Sequence, residues 1–426
     1  MPSQLSSGIT VKKTLHEKNA FVRCMAYTSL TRPALIEHYE PQTGGSRNHV
    51  VVIRTSDDNG RTWANLREES CEWEADGVAF SRRSPVYHLD PVRKVLIEFV
   101  SEHEKWMGDP NGDEFGPSAG LRYPPFETGK IYYRFSRDDG ATWTPRKQLI
   151  QKGAYDETHW AEGIRVGRNT GSFDELLHIT QLGDGTLIMP IHFCPVDENG
   201  DLIRVVDRFG KRVWPTEAVA TFRGTWNAEG TDIEWALSNH LVPDQYITGG
   251  LCEPAVVDMP GGQLMMVMRG SSGTLQVMPS VKFFSISEDK GRTWGPAVPL
   301  TYPDASHVYS PGSLPNFFRS SKNGKVYVIA NILPGPAMHC DPRYPLKIAE
   351  VDPTYYWVIP ETETVIADRE DRHPRFIRFS NWKRIEDRET GNPVIFMTEG
   401  RIDACIPDIE GSVVPDSYRY EIQLPE

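Results

Sequence analysis

Charged residues at the ends of apolar runs are the first candidates for chemistry in this sequence. Arg269 directly follows residues 264–268, an apolar run that is typical of a buried strand. A guanidinium placed there needs a partner, because burying an unpaired charge is strongly unfavourable. The partner could be the carboxylate of a substrate or the side chain of Glu253. Both contacts can exist at once if Glu253 orients Arg269. We therefore take Arg269 as a candidate substrate-binding residue and Glu253 as a candidate catalytic residue.

Two further arginines have a chemistry suited to an acidic ligand. Arg343 follows the pair Asp341-Pro342, and Arg32 stands before Pro33 and an apolar run. A guanidinium stays charged at every working pH and can bind a carboxylate through two parallel hydrogen bonds.

Histidines near predicted strand ends are candidates for proton transfer. His49 precedes the apolar run 50–53, and His38 ends a run that we interpret as the innermost strand of the same unit. A histidine with a pKa near its ordinary value can act as an acid or a base near neutral pH. We take His49 and His38 as candidate catalytic residues, and His192 and His159 as candidates for binding substrate.

An eight-residue pattern, S-x-D-x-G-x-T-W, indicates the elements that position these residues. It occurs at residues 56–63, 136–143 and 287–294, each time after an apolar, strand-like run. The aspartate can accept backbone N–H groups across a hairpin turn, and the glycine can adopt a positive φ. We expect Trp63, Trp143 and Trp294, which end the three copies, to pack between sheets on the outer side. The pattern is thus structural.

The spacing of the copies predicts the architecture. The second and third copies are about twice as far apart as the first and second, which leaves room for a degenerate copy between them. Paired apolar runs lie between the copies, so that the chain divides into about six four-stranded units. Such repeats are typical of a propeller. We predict a single all-β domain over residues 1–426, a β-propeller of six blades, with seven as the alternative. The N-terminal run 9–13 and the C-terminal run 418–424 could close the last blade.

Composition excludes several classes of protein. Apolar residues make up 39% of the 426 residues, enough for a packed core, and the net charge of −12 without a basic run argues against nucleic acid as a partner. No apolar stretch is long enough to span a membrane. The six scattered cysteines have no metal-binding spacing, and we expect no metal and no cofactor. The polar N-terminus suggests a cytoplasmic protein, or a secreted or periplasmic one whose signal peptide is absent from this chain.

The octapeptides resemble the Asp-boxes of the sialidase superfamily, and the likeness extends over most of the chain. Arg32-Pro33-Ala34-Leu35 resembles the first arginine motif of that superfamily with one residue missing. The stretch from Glu253 to Arg269 is similar to the strand pair that carries its glutamate and second arginine, and residues 342–348, around Arg343, are similar to its third arginine motif. The resemblance implies that the three arginines bind a carboxylate on a sugar.

Two departures separate the chain from the sialidases. Phe379 stands where the resemblance leads us to expect the tyrosine nucleophile, and residues 46–50, which include His49, contain no carboxylate where the aspartate acid/base is expected. Propellers related to the superfamily that cleave rhamnose–glucuronate linkages, as lyases or hydrolases, rely on histidine instead. This chain is similar to them in lacking the Tyr/Asp pair and in having histidine nearby. If a tyrosine nucleophile exists, Tyr309 is the next choice.

The sequence therefore favours an exo-acting carbohydrate-active enzyme. We predict a glycoside hydrolase or polysaccharide lyase that cleaves a terminal linkage at a uronate or ulosonate, with arginines on the carboxylate and histidine as acid or base. Its partner would be an oligosaccharide or glycan with an acidic sugar. The alternatives are a glycan-binding propeller without turnover and an exo-sialidase with an unrecognised nucleophile.

Overall fold

The computed structural model of the protein describes most of the chain. The described residues are 8–41, 50–106, 126–166, 171–172, 178–201, 203–206, 212–215, 217–242, 250–270, 279–337, 340–373, 377–399 and 416–426. Within these ranges nearly all regular structure is β, and the single helical element is a 3-10 turn at Pro360–Thr362. No described helix is long and apolar enough to cross a membrane.

The first two blades follow a leading strand that belongs to the last blade. That strand is β1 (Thr10–Glu17). Blade 1 contains β2 (Ala20–Tyr27), β3 (Leu35–Pro41), β4 (Val50–Ser56) and β5 (Ala64–Ser70), paired in that order. Blade 2 contains β6 (Glu72–Ala75), β7 (Val78–Arg82), β8 (Val86–Asp90), β9 (Val95–Trp106), β10 (Phe126–Ser136) and β11 (Lys147–Gln148). In blade 2, β7 and β8 pair with successive parts of one edge of β9.

Blades 3 and 4 repeat the antiparallel arrangement. Blade 3 contains β12 (Gly171–Ser172), β13 (Thr180–Gln181), β14 (Leu187–Phe193), β17 (Ala218–Trp226) and β18 (Ile233–Leu237). A separate two-stranded ribbon, β15 (Arg204–Val206) and β16 (Arg212–Pro215), lies between β14 and β17 in the chain. Blade 4 contains β19 (Leu251–Asp258), β20 (Leu264–Gly270), β21 (Val281–Ser287) and β22 (Val298–Pro299).

The last two blades complete the ring. Blade 5 contains β23 (Asn316–Arg319), β24 (Val326–Asn331), β25 (Leu346–Val351) and β26 (Thr364–Ala367). Blade 6 contains β27 (Lys383–Glu386), β28 (Pro393–Glu399) and β29 (Asp416–Gln423), and its fourth strand is β1. Strands β1 and β29 pair in antiparallel fashion, from Thr10 opposite Gln423 to Glu17 opposite Ser417. The two ends of the chain thus share one sheet, and the prediction of a six-bladed propeller is confirmed.

Apolar clusters between neighbouring blades hold the ring together. One joins blades 2 and 3 around Phe99 and Phe222, and another joins blades 5 and 6 around Tyr327 and Tyr420. The junctions of blades 3 with 4, 4 with 5 and 6 with 1 have their own clusters. Because side chains alternate across a strand, each sheet presents apolar side chains to both of its neighbours.

The repeated octapeptide forms the turn between the last two strands, in chain order, of blades 1, 2 and 4. In blade 4, Asp289 accepts hydrogen bonds from the backbone N–H groups of Arg292 and Thr293, at 3.0 and 2.9 Å, and from the Thr293 hydroxyl at 2.7 Å. Gly291 has a φ of +77°, and its N–H donates to Ser287 Oγ. Burial works against the charge, but the hydrogen bonds from Thr293 and Ser287 lower the pKa of Asp289 to about 2.

The three tryptophans of the octapeptides pack in two ways. Trp294 is buried, and its Nε1 donates across the junction to Thr221 Oγ1 in blade 3. Trp63 packs against the cluster between blades 6 and 1. Trp143 instead lies against Arg134 and Tyr87 of its own blade. The prediction of packing between sheets is therefore confirmed for the first and last copies.

We expect Asp289→Ala to lower the free energy of unfolding by about 1–2 kcal/mol, because several hydrogen bonds of the turn are lost together. Since the pKa of Asp289 is lowered in the folded state, its contribution is present above about pH 4 and is lost as the pH falls toward 2. Denaturant unfolding at neutral and acid pH measures both effects. Glu288→Ala, an exposed neighbour, is the matched control, and an equal loss there would contradict the role of the turn.

Candidate active site

An ion pair at the start of blade 4 is the centre of the candidate site. Glu253 Oε1 accepts a hydrogen bond from Arg269 Nη1 at 3.0 Å, and the two side chains are only 18% and 20% exposed. Glu253 lies in a bulge between Cys252 and Ala255, where β19 loses its register with β20, and it has a φ of +51°. Non-glycine residues with positive φ are uncommon and tend to lie at functional sites.

The guanidinium of Arg343, on the neighbouring blade, approaches the same place. Its Nη2 donates to the carbonyl of Gly312 at 2.9 Å, and its Nε donates to the carbonyl of Cys340 at 3.1 Å. Arg269 Nη2 lies 3.5 Å from Cys340 Sγ. A Cβ added at Gly312 would lie only 3.0 Å from Arg269 Nε. The structure therefore brings both arginines around the Gly312 peptide.

The segment that carries Arg343 is fixed to the start of blade 6. Arg378 forms a two-pronged hydrogen bond with Asp341, at 3.0 and 2.7 Å, and the Phe379 N–H donates to the Arg343 carbonyl. Arg343 Nη1 also donates to Ser380 Oγ at 3.2 Å. The backbone of Phe379 thus lies beside that of Arg343, but the Phe379 ring is fully buried in the core between blades 5 and 6.

Two atoms of the central ion pair have no hydrogen-bond partner among the described residues. They are Glu253 Oε2 and Arg269 Nε. Burial alone would raise the pKa of Glu253, but the positive charges of Arg269 and Arg343 outweigh that effect and lower it. The carboxylate is therefore ionised at neutral pH, with one oxygen still able to accept a proton or a hydrogen bond.

Lys282 belongs to this cluster and was missed by the sequence analysis. It lies directly opposite Arg269 in the pairing of β20 with β21, so the two side chains are on the same face of the sheet. Its ammonium group is fully buried and donates to the carbonyls of Pro311 and Ser313, on either side of Gly312. Burial lowers the pKa of Lys282 to about 7. A charge inside the apolar strand 281–286 was the signal that could have revealed it.

Among the predicted histidines that the structure describes, His192 alone contacts the cluster. It lies near the end of β14, in the position of blade 3 that Arg269 takes in blade 4, and its Nδ1 accepts a long hydrogen bond of 3.4 Å from the Glu253 N–H. An Nδ1 that accepts requires the proton on Nε2, which leaves an N–H donor on the other side of the ring.

Arg32 lies elsewhere, and its predicted place beside Arg269 is wrong. It is in the hairpin between β2 and β3, at the Asp-box end of blade 1, and its exposed guanidinium pairs with Asp57 and Asp139. Arg269 ends β20 at the opposite end of its blade from the Asp-box. Because all blades repeat one strand order, the two arginines are on opposite faces of the ring. The prediction for Arg32 rested on the motif at residues 32–35 and did not consider at which end of the strands this motif lies.

Arg23 is the arginine of blade 1 that takes a position comparable to that of Glu253. It lies at a bulge near the start of β2, where the register with β3 shifts between Val22 and Cys24. Its guanidinium pairs with the buried carboxylate of Glu40.

The other predicted residues do not contact the cluster in the described structure. His38 is on β3, the second strand of blade 1 and not the innermost, and it is buried against Tyr87. Burial lowers the pKa of His38 to about 4, so it is neutral at pH 7. His159 lies in a loop beside the ring of Tyr155. Tyr309 is half-buried against the core between blades 3 and 4. His49 lies outside the described residues.

No described group of three or more histidine, cysteine, aspartate and glutamate side chains is arranged to hold a metal ion. The described cysteines are all free thiols. The polar groups available to a ligand in the cluster are thus guanidinium, carboxylate and imidazole groups, which suit an oxygen-rich organic molecule.

Comparison with known proteins identifies the family. The model of the BNR repeat-like domain matches residues 109–361, more than half of the chain. The chain belongs to the BNR repeat-like domain family. The match confirms the predicted kinship with propellers built from Asp-box (BNR) repeats, and solved sialidase structures share this fold. No protein among the curated ones matches the sequence.

Solved structures share the fold of this family member at low sequence identity. A protein of unknown function from Dyadobacter fermentans has a TM-score of 0.61 at 11% identity, with 98% of this chain and 100% of the other covered. The intramolecular trans-sialidase from Ruminococcus gnavus, in complex with oseltamivir carboxylate, has a TM-score of 0.53 at 14% sequence identity, and the match covers 94% of each chain. The α-L-arabinanase from Penicillium chrysogenum, in complex with arabinobiose, has a TM-score of 0.51 at 14% sequence identity, and the match covers 97% of this chain and 98% of the other.

We expect Gly312→Ala to weaken substrate binding at least about tenfold while the protein remains folded, because the added methyl group would displace Arg269 and Cys340. Gly335→Ala is the matched control, since a Cβ there would meet no atom within 4 Å. Ligand titration with an acidic oligosaccharide, together with thermal unfolding, measures the two effects. Unchanged affinity in a folded Gly312→Ala protein would show that the cluster does not bind the ligand.

Lys282→Met should change how stability depends on pH. Because the pKa of Lys282 is about 7 in the folded state and higher in the unfolded chain, the unfolded chain binds more protons above pH 7. The free energy of unfolding should therefore rise with pH between about 7 and 10 in the wild type relative to Lys282→Met. Denaturant unfolding at several pH values tests this, with the exposed Lys290→Met as the control. Parallel curves for wild type and Lys282→Met would contradict the lowered pKa.

Proposed function

We propose that the protein is a carbohydrate-active enzyme that cleaves a terminal glycosidic linkage at an acidic sugar. The observation that carries the proposal is the convergence of Arg269 and Arg343 on the Gly312 peptide, with Glu253 paired to Arg269. Two guanidinium groups from adjacent blades form a site for one carboxylate. The carboxylate would be that of a uronate or an ulosonate.

The local charge supports an anionic substrate. The cluster contains the guanidinium groups of Arg269 and Arg343 and the ammonium group of Lys282, against the carboxylate of Glu253, while that of Glu217 acts on Arg269 without an ion-pair contact. The chain as a whole carries −12 charges, so a positive cluster at this place stands out from its surroundings. A bound carboxylate would bring this cluster close to neutrality and would supply an acceptor for Arg269 Nε.

The reaction requires a group that gives a proton to the leaving oxygen and a group that accepts one. Glu253 is ionised and has a free oxygen, so it suits the role of base. His192 has an N–H on the ring nitrogen that faces away from Glu253, so it suits the role of a hydrogen-bond donor to the leaving oxygen. In hydrolysis the base would take a proton from water, and in β-elimination it would take the proton next to the carboxylate. His49, outside the described residues, stays a candidate for either role.

The position of Phe379 supports a reaction other than that of the sialidases. The structural neighbours include sialidases, but the ring at this position is fully buried and has no nucleophilic atom. We therefore expect no release of sugar from a generic α-sialoside. The same experiment covers the remaining alternative, because release at a rate typical of sialidases would indicate a nucleophile that we have not recognised, such as Tyr309.

The replacement of a nucleophile by a core residue also favours a second candidate function, a glycan-binding propeller without turnover. An assay of products separates the two. Acidic oligosaccharides incubated with the protein should yield new reducing ends on hydrolysis, or an ultraviolet-absorbing unsaturated uronate on elimination. Stable binding on a glycan array with neither product would establish the binding function and reject the enzyme.

Arg269→Ala should lower activity on an acidic substrate by orders of magnitude, because it removes a charge-assisted contact worth about 2–5 kcal/mol. The methyl ester of the same substrate should be a poor substrate of the wild type and should lose much less in the variant. Arg32→Ala, which removes an exposed arginine on the other face of the ring, is the control for charge. If the wild type cleaves the ester as well as the acid, the arginines do not bind the carboxylate.

A further inference from the structure

A second carboxylate lies beside the candidate site, at the junction between blades 3 and 4. Glu217 directly precedes β17, and its side chain is half-buried. Val219, two residues further on, packs in the apolar cluster of this junction and lies opposite His192 of β14. Because side chains alternate across a strand, Glu217 is directed to the same side, toward blade 4, and is a neighbour of His192.

The first residues of blade 4 are fixed against Glu217. The Leu251 N–H donates to the Glu217 carbonyl at 3.0 Å. Gly250 has a φ of +87°, and a Cβ added there would lie only 2.6 Å from the Cβ of Glu217. The glycine therefore permits an approach that a residue with a side chain would prevent. Glu253 is the third residue of β19, so it follows this contact closely in the chain.

The thiol of Cys252 lies near both carboxylates. Burial raises the pKa of this thiol well above its ordinary range, the charge of Arg269 opposes the rise, and the charges of Glu217 and Glu253 add to it. Glu217 also acts on Arg269 through its charge. The two glutamates thus surround one buried residue at the edge of the candidate site.

The two carboxylates differ in their partners. Glu253 accepts a hydrogen bond from Arg269 Nη1 at 3.0 Å, whereas Glu217 has no ion-pair partner among the described residues. An ion pair favours the ionised form of a carboxyl group, so Glu217 is the better of the two to carry a proton. Two carboxyl groups in different environments are the arrangement by which most glycoside hydrolases divide the roles of acid and base.

We propose that Glu217 is the general acid of the candidate site and that, with Glu253 as the base, it makes the reaction a hydrolysis. This inference rests on the proposed function and names the proton donor that it requires. Glu253 takes a proton from water, and the water oxygen forms a bond to the anomeric carbon. The bond from that carbon to the leaving oxygen breaks, and its electron pair takes the proton of Glu217. Exchange with solvent then removes the proton from Glu253 and returns one to Glu217.

The dependence of the rate on the leaving group tests the proposal. The substrates are the methyl and the dinitrophenyl glycosides of a uronate and of an ulosonate. An alkoxide needs a proton in order to leave, whereas a dinitrophenolate leaves without one. We therefore expect Glu217→Gln to lower kcat/KM on the methyl glycoside by a factor of about 10²–10⁴, and on the dinitrophenyl glycoside by less than about tenfold. Glu234→Gln, which alters an exposed glutamate of blade 3, is the matched control.

The pH profile and a conservative variant separate catalysis from a structural role. In the wild type, kcat/KM on the methyl glycoside should fall on the alkaline side as the acid loses its proton, and this limb should be absent from Glu217→Gln. Glu217→Asp keeps a carboxyl group with a shorter reach. It should show the same dependence on the leaving group to a smaller extent, even if Glu217→Gln does not fold.

The possible failures are distinguishable. An equal loss on both glycosides in Glu217→Gln and Glu217→Asp would show that Glu217 only supports the fold, and it would overturn this proposal while the proposed function stands. An unsaturated product from the wild type would overturn it as well, because the reaction would then be an elimination. A wild type that cleaves none of the four glycosides would contradict the proposed function and, with it, the role of Glu217.

Discussion

The pair formed by Arg269 and Glu253 imposes the constraint on which the candidate site depends. A guanidinium that is four-fifths buried has to be neutralised, and the only carboxylate that reaches it among the described residues comes from a bulge with a positive φ. The bulge turns the Glu253 side chain toward β20 and breaks the ladder of β19 at that point. The bulge thus both strains the backbone at Glu253 and places its carboxylate on Arg269.

The surroundings of this pair follow from it. Lys282 faces the same side of blade 4 as Arg269, so it adds a like charge that needs its own partners. It finds them in the carbonyls of Pro311 and Ser313, and it thereby fixes the Gly312 peptide between the arginines. The Gly312 carbonyl in turn orients Arg343. A buried cation, the Gly312 peptide and a second arginine thus form one connected arrangement.

The sequence predicted the parts of the structure that repeat or that break a local pattern. The Asp-boxes and the paired apolar runs predicted six blades, and the two terminal runs predicted the closure of β1 on β29. The pairing of Arg269 with Glu253 followed from one charge at the end of an apolar strand. These inferences succeeded because they rest on periodicity and on the energetics of buried charge, which are local properties.

The rest depends on which segments the fold brings together. Arg32 was misplaced because the prediction used the types of the neighbouring residues and not the end of the blade at which its hairpin lies. Gly312 and Cys340 gave no sequence signal, since their role consists only of contacts between a loop and two strands.

A crystal structure with a bound acidic oligosaccharide is the most direct test of the central claim, that Arg269 and Arg343 bind a substrate carboxylate. We expect a carboxylate within hydrogen-bond distance of Arg269 Nε and of the Arg343 guanidinium, with the glycosidic oxygen on the side of Glu253 and His192. A sugar bound elsewhere on the ring, or bound here with its carboxylate directed to solvent, would contradict it.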